Sequence, residues 1–433
     1  MSIIDPEIID SIVNELEIDD IRNASIRQIG AVVRTAEART GVEYIHFEMG
    51  VPGLPPSDVG VKAECEALQR GVASVYPIID GIPEVKEQAA RFIKAFVNTD
   101  ILPSGCIPTV GSMQASFASL MLASQLNPQR DTVLYIDPGF PVQKMQAQVI
   151  GVKAVSFDIS DYRGELLEKK LESYLGQDNI CAVIYSSPNN PTWMCLNDVE
   201  LEIIGRLATK HDIVVIEDLA YMTMDFRKDF GVPFEPPYQP SVSHYTDNYI
   251  ILMSASKIFS YAGQRIAMAC ISDVLYERHY DSLKQRYGIA RFGAAFAYIF
   301  LYSFSSGVSH SAQCAMAAMM KAACDGEYRF TEDIKEYALR TARIKEILLR
   351  NGFHIVYDKD DTEPVSDGFF FTIGYKDMEG RELLKELLYY GVSGIDIATT
   401  GGTRKGIRAC SSNIKPHHYA ILEDRLREFN ENH

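Results

Sequence analysis

The sequence predicts an α/β protein, in which a large domain with a mostly parallel sheet flanked by helices is joined to a smaller α+β domain built from both chain ends. Three observations predict it. From about residue 105 to 272, short apolar runs alternate with amphipathic segments, the pattern of βαβ units. After about residue 325 the texture changes to long charged helical patterns broken by a short strand-like run. Finally, 433 residues exceed what one hydrophobic core organises. The expected division is residues 1–68 as the N-terminal part of the small domain and an interface segment, 69–324 as the large domain, and 325–433 as the C-terminal small domain.

The runs at 132–136, 182–185, 213–216 and 249–253 are too continuously apolar for half-solvated strands, so both faces of each are expected to be covered. Each is followed at once by polar, Gly or Pro residues: Asp137-Pro138-Gly139, then Ser186-Ser187-Pro188-Asn189-Asn190-Pro191, then Glu217-Asp218, then Ser254-Ala255-Ser256-Lys257. In open α/β sheets the carboxyl edge is where ligands bind, so these four loops are expected to converge on one site. A helical run at 115–126 follows Gly111. Beyond residue 325 the pattern predicts a helix over 332–349, a strand over 368–373, a helix near 380–390 and a last helix from Pro416.

Composition narrows the function classes. The chain is 47% hydrophobic and 23% charged, as ordinary soluble proteins are. It carries 58 acidic against 42 basic side chains, a net charge of -16 that repels polyanions and argues against nucleic-acid binding. Its acidic opening, with Asp5, Glu7 and Asp10, lacks a signal-peptide pattern, and no apolar segment is long enough to span a bilayer. A cytoplasmic protein without a membrane partner is expected. The cysteines at 65, 106, 181, 195, 270, 314, 324 and 410 form no CxxC pair and have no nearby histidine at ligand spacing, so buried thiols in a reducing compartment, and no metal, are expected.

Six stretches carry chemistry. Lys257 follows a buried strand among hydroxyls, with Arg265 eight places on, which supplies an amine and a phosphate clamp together; alone, it also reads as a solvated lysine. Gly111 opens a helix whose first N–H groups suit a phosphate, or simply marks a turn. Phe140 in Asp137-Pro138-Gly139-Phe140-Pro141 offers a flat apolar face, or fills a core. Asn190 lies in a Pro-rich turn. Asp218 ends an apolar strand with Tyr221 three places on, and reads otherwise as a helix N-cap. Arg408, in Gly406-Ile407-Arg408-Ala409-Cys410, could grip a carboxylate bidentately, or belong with Arg404 and Lys405 to a solvated edge.

Taken in order, these stretches resemble the fold-type-I pyridoxal-phosphate (PLP) aminotransferases of class I/II, the aspartate aminotransferase superfamily, from about residue 45 onward. The resemblance makes the large domain PLP-binding and implies that Lys257 holds the cofactor as a Schiff base and shuttles the proton between substrate Cα and C4′. It gives the phosphate to Gly111, Ser112, Met113, Ser254 and Arg265, and the face of the ring to Phe140. Asn190 and Tyr221 would hydrogen-bond O3′, and Asp218 would pair with the pyridine nitrogen, keeping the ring an electron sink. Arg408 would grip the substrate carboxylate with Gly50 against it, and Asn190 would also bind substrate. Tyr76 would reach the phosphate of a partner subunit, which implies a homodimer. Where the resemblance has glycine after Thr192, this chain has Trp193, its single tryptophan.

The implied reaction transfers the amino group of an α-amino acid to a 2-oxo acid, because an arginine that retains the carboxylate favours proton removal at Cα. The alternatives are a PLP-dependent C–S lyase or related elimination enzyme of the same fold, and a noncatalytic aminotransferase-like sensor. The side-chain specificity stays open: Arg291 suits a dicarboxylate, and the aromatic run at 292–304 suits a hydrophobic substrate.

Overall fold

The computed structural model describes residues 2–433. By contact the chain divides into two compact units, one from Leu54–Pro188 and Cys195–Ile334, the other from the segment ending at Gly53, Asn189–Met194 and Lys335–His433.

The larger unit is built on seven strands: β1 (Cys106–Thr109), β2 (Thr132–Asp137), β3 (Lys153–Asp158), β4 (Ile180–Ser186), β5 (Val214–Asp218), β6 (Tyr249–Ser254) and β7 (Ala267–Ile271). Their order is β1-β7-β6-β5-β4-β2-β3. From β3 to β6 every neighbouring pair is parallel, and β7 alone runs antiparallel, to β6 and to β1. All four apolar runs of the sequence are strands. β2, β5 and β6 are buried along their whole length, as strands covered on both faces must be. The helix Gly111–Ala123 covers one face: its Ala115, Ala118 and Leu122 join Ile216, Ile250 and Leu252 in one core. Because β1 runs with β6, the carboxyl ends of β1, β2, β4, β5 and β6 lie along one edge, and the polar residues that end each run are gathered there.

In the smaller unit the strands are β8 (Phe353–Ile355), the two-residue pair β9 (Lys359–Asp360) and β10 (Glu363–Pro364), then β11 (Phe370–Tyr375), β12 (Ile395–Asp396) and β13 (Ile407–Cys410). β12-β13-β11-β8 form an antiparallel sheet. Its faces alternate with period two. Phe371, Ile373, Ile407 and Ala409 point into a core shared with Ile29 and Val33 of the helix Ile26–Thr40, Leu384 and Leu388 of Gly380–Tyr389, and Leu422 and Phe429 of His418–Asn432. Each fully buried Leu or Phe there stabilises by roughly 1.5–3 kcal/mol. Phe370, Thr372, Arg408 and Cys410 therefore share the other face, where register sets Phe370 opposite Cys410 and Thr372 opposite Arg408. Among the described residues no helix is long and apolar enough to cross a membrane.

Candidate active site

At the carboxyl edge of the large sheet the chain makes an anion cradle. β1 passes through Val110 into Gly111, whose φ of +69° is a left-handed conformation that favours glycine. The helix Gly111–Ala123 starts there with no side-chain cap on its first turn, so the positive end of its dipole, at Ser112 and Met113, is open to an anion. Directly over Gly111 sits the Arg265 guanidinium: a Cβ added to Gly111 would stand 2.4 Å from Arg265 Nη2. Arg265 is itself left-handed, with φ +51°, and its Nη1 donates to the Ala262 carbonyl at 2.8 Å. Ser254, buried at the end of β6, accepts the Ser256 N–H at 3.2 Å and so turns the chain into the four-residue helix Ala255–Ile258. Lys257 lies on that turn, half-buried.

The loop between Lys257 and Arg265 is pinned from beneath. The Tyr261 hydroxyl donates to Glu64 Oε2 at 2.6 Å, and Ser311 donates to Glu64 Oε1 at 3.0 Å, in a buried cluster. Sequence reasoning did not find this support. Its signal would have been a glutamate on the apolar face of the helix Asp58–Gln69.

Asp218 ends β5, in register with Ser186 of β4 and Leu252 of β6. No helix follows it, so the helix-cap reading is not realised; instead Oδ1 accepts the Ala220 N–H at 3.1 Å and closes a tight turn. Oδ2 accepts from Gln143 Nε2 at 2.9 Å. Burial pushes the carboxyl up to about 6, with the Ala220 and Gln143 hydrogen bonds pulling it back. Gln143 is a site residue that sequence reasoning missed: it is buried on the helix Pro141–Ile150, and Phe140 immediately precedes that helix. Tyr221, buried, follows on the turn after Asp218.

Within the smaller unit, the turn Asn189–Met194 is closed by two backbone bonds of 2.9 Å, Asn189 N–H to Met194 carbonyl and Trp193 N–H to Asn189 carbonyl. The Asn189 side-chain oxygen is committed to the turn, accepting the Thr192 N–H at 3.1 Å and the Thr192 hydroxyl at 2.8 Å. Asn190 is buried beside it. Arg408 is buried on β13, donates to the Glu48 carbonyl, and carries its guanidinium carbon 4.8 Å above the Phe370 ring. Gly50 adjoins both, since a Cβ there would lie 3.1 Å from Phe370 Cζ and 3.9 Å from Arg408 Nη1. Gly50 and Arg408 are brought together, and Arg408 is not part of a solvated edge.

Tyr76 stands apart, 89% exposed between Val75 and Ile78, which are also exposed. Arg291 pairs with Glu277 at 3.3 Å. One cluster of described residues has metal-ligand spacing, Glu43 with His417 and His418. There the Lys415 N–H donates to His418 Nδ1, which leaves the ring proton on Nε2 facing Glu43 Oε1 at 3.0 Å, an arrangement of hydrogen bonds and not of ligands.

The groups at the sheet edge fit PLP. A phosphate has an uncapped helix start and a guanidinium over a glycine whose Cβ would fill the space, a pyridine nitrogen has a buried carboxyl, and an aldehyde carbon has a half-buried amine on a pinned loop.

Residues 42–393 match the family described as aminotransferase class I and II. The chain is 30% identical to glutamate-pyruvate aminotransferase AlaC of Escherichia coli over 243 residues, 55% of this chain and 56% of that one, so the match spans little more than half of that relative. It is 23% identical to a probable aspartate aminotransferase of Methanocaldococcus jannaschii over 350 residues, 80% and 82% of the two chains. Among solved structures, aspartate aminotransferase from Thermus thermophilus with maleate superposes with a TM-score of 0.72 at 20% identity, over 94% of this chain and 96% of that one. YbdL from Escherichia coli, described as having a methionine aminotransferase function, gives 0.74 at 17% identity, over 94% and 98%. At these identities the structural likeness shows the fold alone.

Proposed function

The chain belongs to the class I and II aminotransferases, and from that premise we propose that it is a PLP-dependent transaminase moving the amino group of an α-amino acid to a 2-oxo acid, with Lys257 as its catalytic amine. The observation that carries the reading is the cradle at the sheet edge, where Arg265 lies over Gly111 at the start of the helix Gly111–Ala123 and the same edge bears Asp218 and Lys257.

When bound, PLP supplies the electron sink that makes the substrate Cα–H acidic. The protein's groups do the rest. Gly111, Ser112 and Met113 offer backbone donors to the phosphate, and Arg265 and Ser254 add side-chain ones. Asp218 would hold a proton at the ring nitrogen, Asn190 and Tyr221 would donate to O3′, and Phe140 would present its face to the ring. Arg408, beside Gly50, takes the substrate carboxylate bidentately and keeps it, which leaves the Cα proton as the group to be moved. The Lys257 amine would take that proton from Cα and deliver it to C4′. Tyr76, on an exposed apolar loop, would donate to the phosphate in a second copy, so the working form is a homodimer. Eight free thiols suit a reducing, cytoplasmic setting.

The test is an absorbance spectrum of wild type and Lys257→Ala with PLP, followed by a panel of amino acids. Wild type is expected to hold PLP so that borohydride fixes it to Lys257, to change its spectrum with some amino acids and to recover it with a 2-oxo acid. Thiol or ammonia release with no need for an oxo-acid acceptor would move the reading to elimination. A protein that binds no PLP would end it.

A further inference from the structure

Trp193 occupies a place that costs conformational energy. Its φ is +67°, where a bulky L residue is an outlier, and an outlier of this kind persists only where its surroundings fix it. Those surroundings are specific. The indole is fully buried and lies on the backbone of Gly368, where an added Cβ would meet three indole atoms at 2.0 to 2.4 Å. Gly368 cannot yield, because its carbonyl accepts hydroxyl bonds from Thr341 at 2.5 Å and Ser411 at 3.0 Å. The indole then meets Phe370 edge-on, with centroids 6.3 Å apart and planes at 63°. Phe370 is diagonal to Arg408 across the β11–β13 pair, on the same face, within the reach of an aromatic ring and a long side chain. Its ring carries the guanidinium at 4.8 Å. Trp193, Phe370 and Arg408 thus form one continuous stack, beginning three residues after Asn190.

We propose that Trp193 is a positioning residue for the carboxylate grip: its indole, standing where the family resemblance has glycine, braces Phe370 under Arg408 and ties the Asn190 turn to the Arg408 strand. The inference rests on the reading of Arg408 as the carboxylate arginine. An arginine has four torsions to freeze when a carboxylate arrives, and a guanidinium already held over a fixed ring has lost part of that freedom beforehand. With glycine at 193, an indole-sized volume under Phe370 would be empty, the ring would gain rotamers, and the substrate would have to order both groups. Such a loss falls on binding of ground state and transition state alike, so it raises KM and leaves kcat nearly untouched.

The experiment compares wild type, Trp193→Gly, Trp193→Phe, Phe370→Leu and Arg408→Gln in the PLP-loaded protein. Half-saturation and maximal rate are read from the cofactor's absorbance change with L-glutamate, L-alanine and L-aspartate, and thermal unfolding is followed in parallel. Trp193→Gly is expected to raise half-saturation about tenfold or more with the maximal rate within about threefold of wild type, and Trp193→Phe to recover most of the difference. Phe370→Leu, which cuts the stack at its second member, is expected to match Trp193→Gly and keeps the test alive if the glycine variant does not fold. Unchanged half-saturation in Trp193→Gly and Phe370→Leu despite a lowered unfolding temperature, or Trp193→Phe no better than Trp193→Gly, overturns the inference. If Arg408→Gln saturates as wild type does, the carboxylate reading itself fails and the inference goes with it.

Discussion

Gln143 and Asp218 meet 75 positions apart in sequence, and their hydrogen bond favours the charged form of an acid that burial pushes toward neutrality. Burial raises the Asp218 carboxyl to about 6, while the Gln143 amide and the Ala220 N–H favour the ionised form. Gln143→Leu keeps the volume and removes one donor, which raises the carboxyl further, by about one pH unit. A protonated Asp218 cannot hold a pyridinium. PLP affinity is therefore expected to fall about fivefold in the variant at pH 6 and hardly at all at pH 8, where both proteins are ionised. A titration of PLP by absorbance at the two pH values checks this, and an equal loss at both would show that Gln143 acts through packing alone. The places of Asp218 and Lys257 at the sheet edge were legible because one ends and the other closely follows an apolar run. Gln143 was not, because nothing in one strand's sequence says which helix will face its end.

β5 carries a second buried acid, one residue before Asp218 and therefore on the opposite face of the strand. Glu217 accepts from the Tyr185 hydroxyl at 3.0 Å, the Ser241 hydroxyl at 2.5 Å and the Val242 N–H at 3.2 Å, and burial pushes it up to about 7. A carboxyl raised on folding binds more protons in the folded chain than in the unfolded one, so its contribution to stability is present below about 4.5 and is lost as pH rises through about 7. Glu217→Gln removes the charge and keeps the bonds, with its oxygen accepting from Tyr185 and Val242 and its amide donating to Ser241. The variant is expected to be more stable than wild type at pH 8 by up to about 3 kcal/mol, the gap closing as pH falls toward 4.5. Denaturant unfolding at several pH values measures it, and a variant weaker than wild type at pH 8 would refute it. The same strand shows what a sequence can disclose about an element. The runs at β2, β4, β5 and β6 were readable because burial on both faces leaves mostly apolar residues, with the polar ones gathered at the strand ends. Edge strand β3 opens on exposed Lys153 and Ala154, β1 is four residues long with a proline, and β12 has two residues, so none had a periodicity to read. The Trp193 stack was closed to sequence reasoning for another reason: it depends on the β11–β13 register, which places Phe370 diagonal to Arg408.

At the scale of the whole molecule, a net charge of -16 works against binding a phosphate ester, yet at physiological salt that repulsion is screened beyond about 8 Å, and the cradle over Gly111 acts within that distance. Tyr76 is 89% exposed, with Val75 at 59% and Ile78 at 57% beside it, an apolar loop that a single chain leaves in water. If Tyr76 acts in the partner's site, Tyr76→Ala and Lys257→Ala damage different halves of the dimer. In a hybrid of the two variants, one site has lost both residues and the other has both intact. Mixing the two weakly active proteins under conditions of subunit exchange, in equal amounts, is then expected to bring activity to roughly a quarter of wild type, since about half of the dimers are hybrids with one whole site each. Activity that stays at the mean of the two variants, in a mixture shown by mass to contain hybrids, would mean that Tyr76 serves its own chain or none.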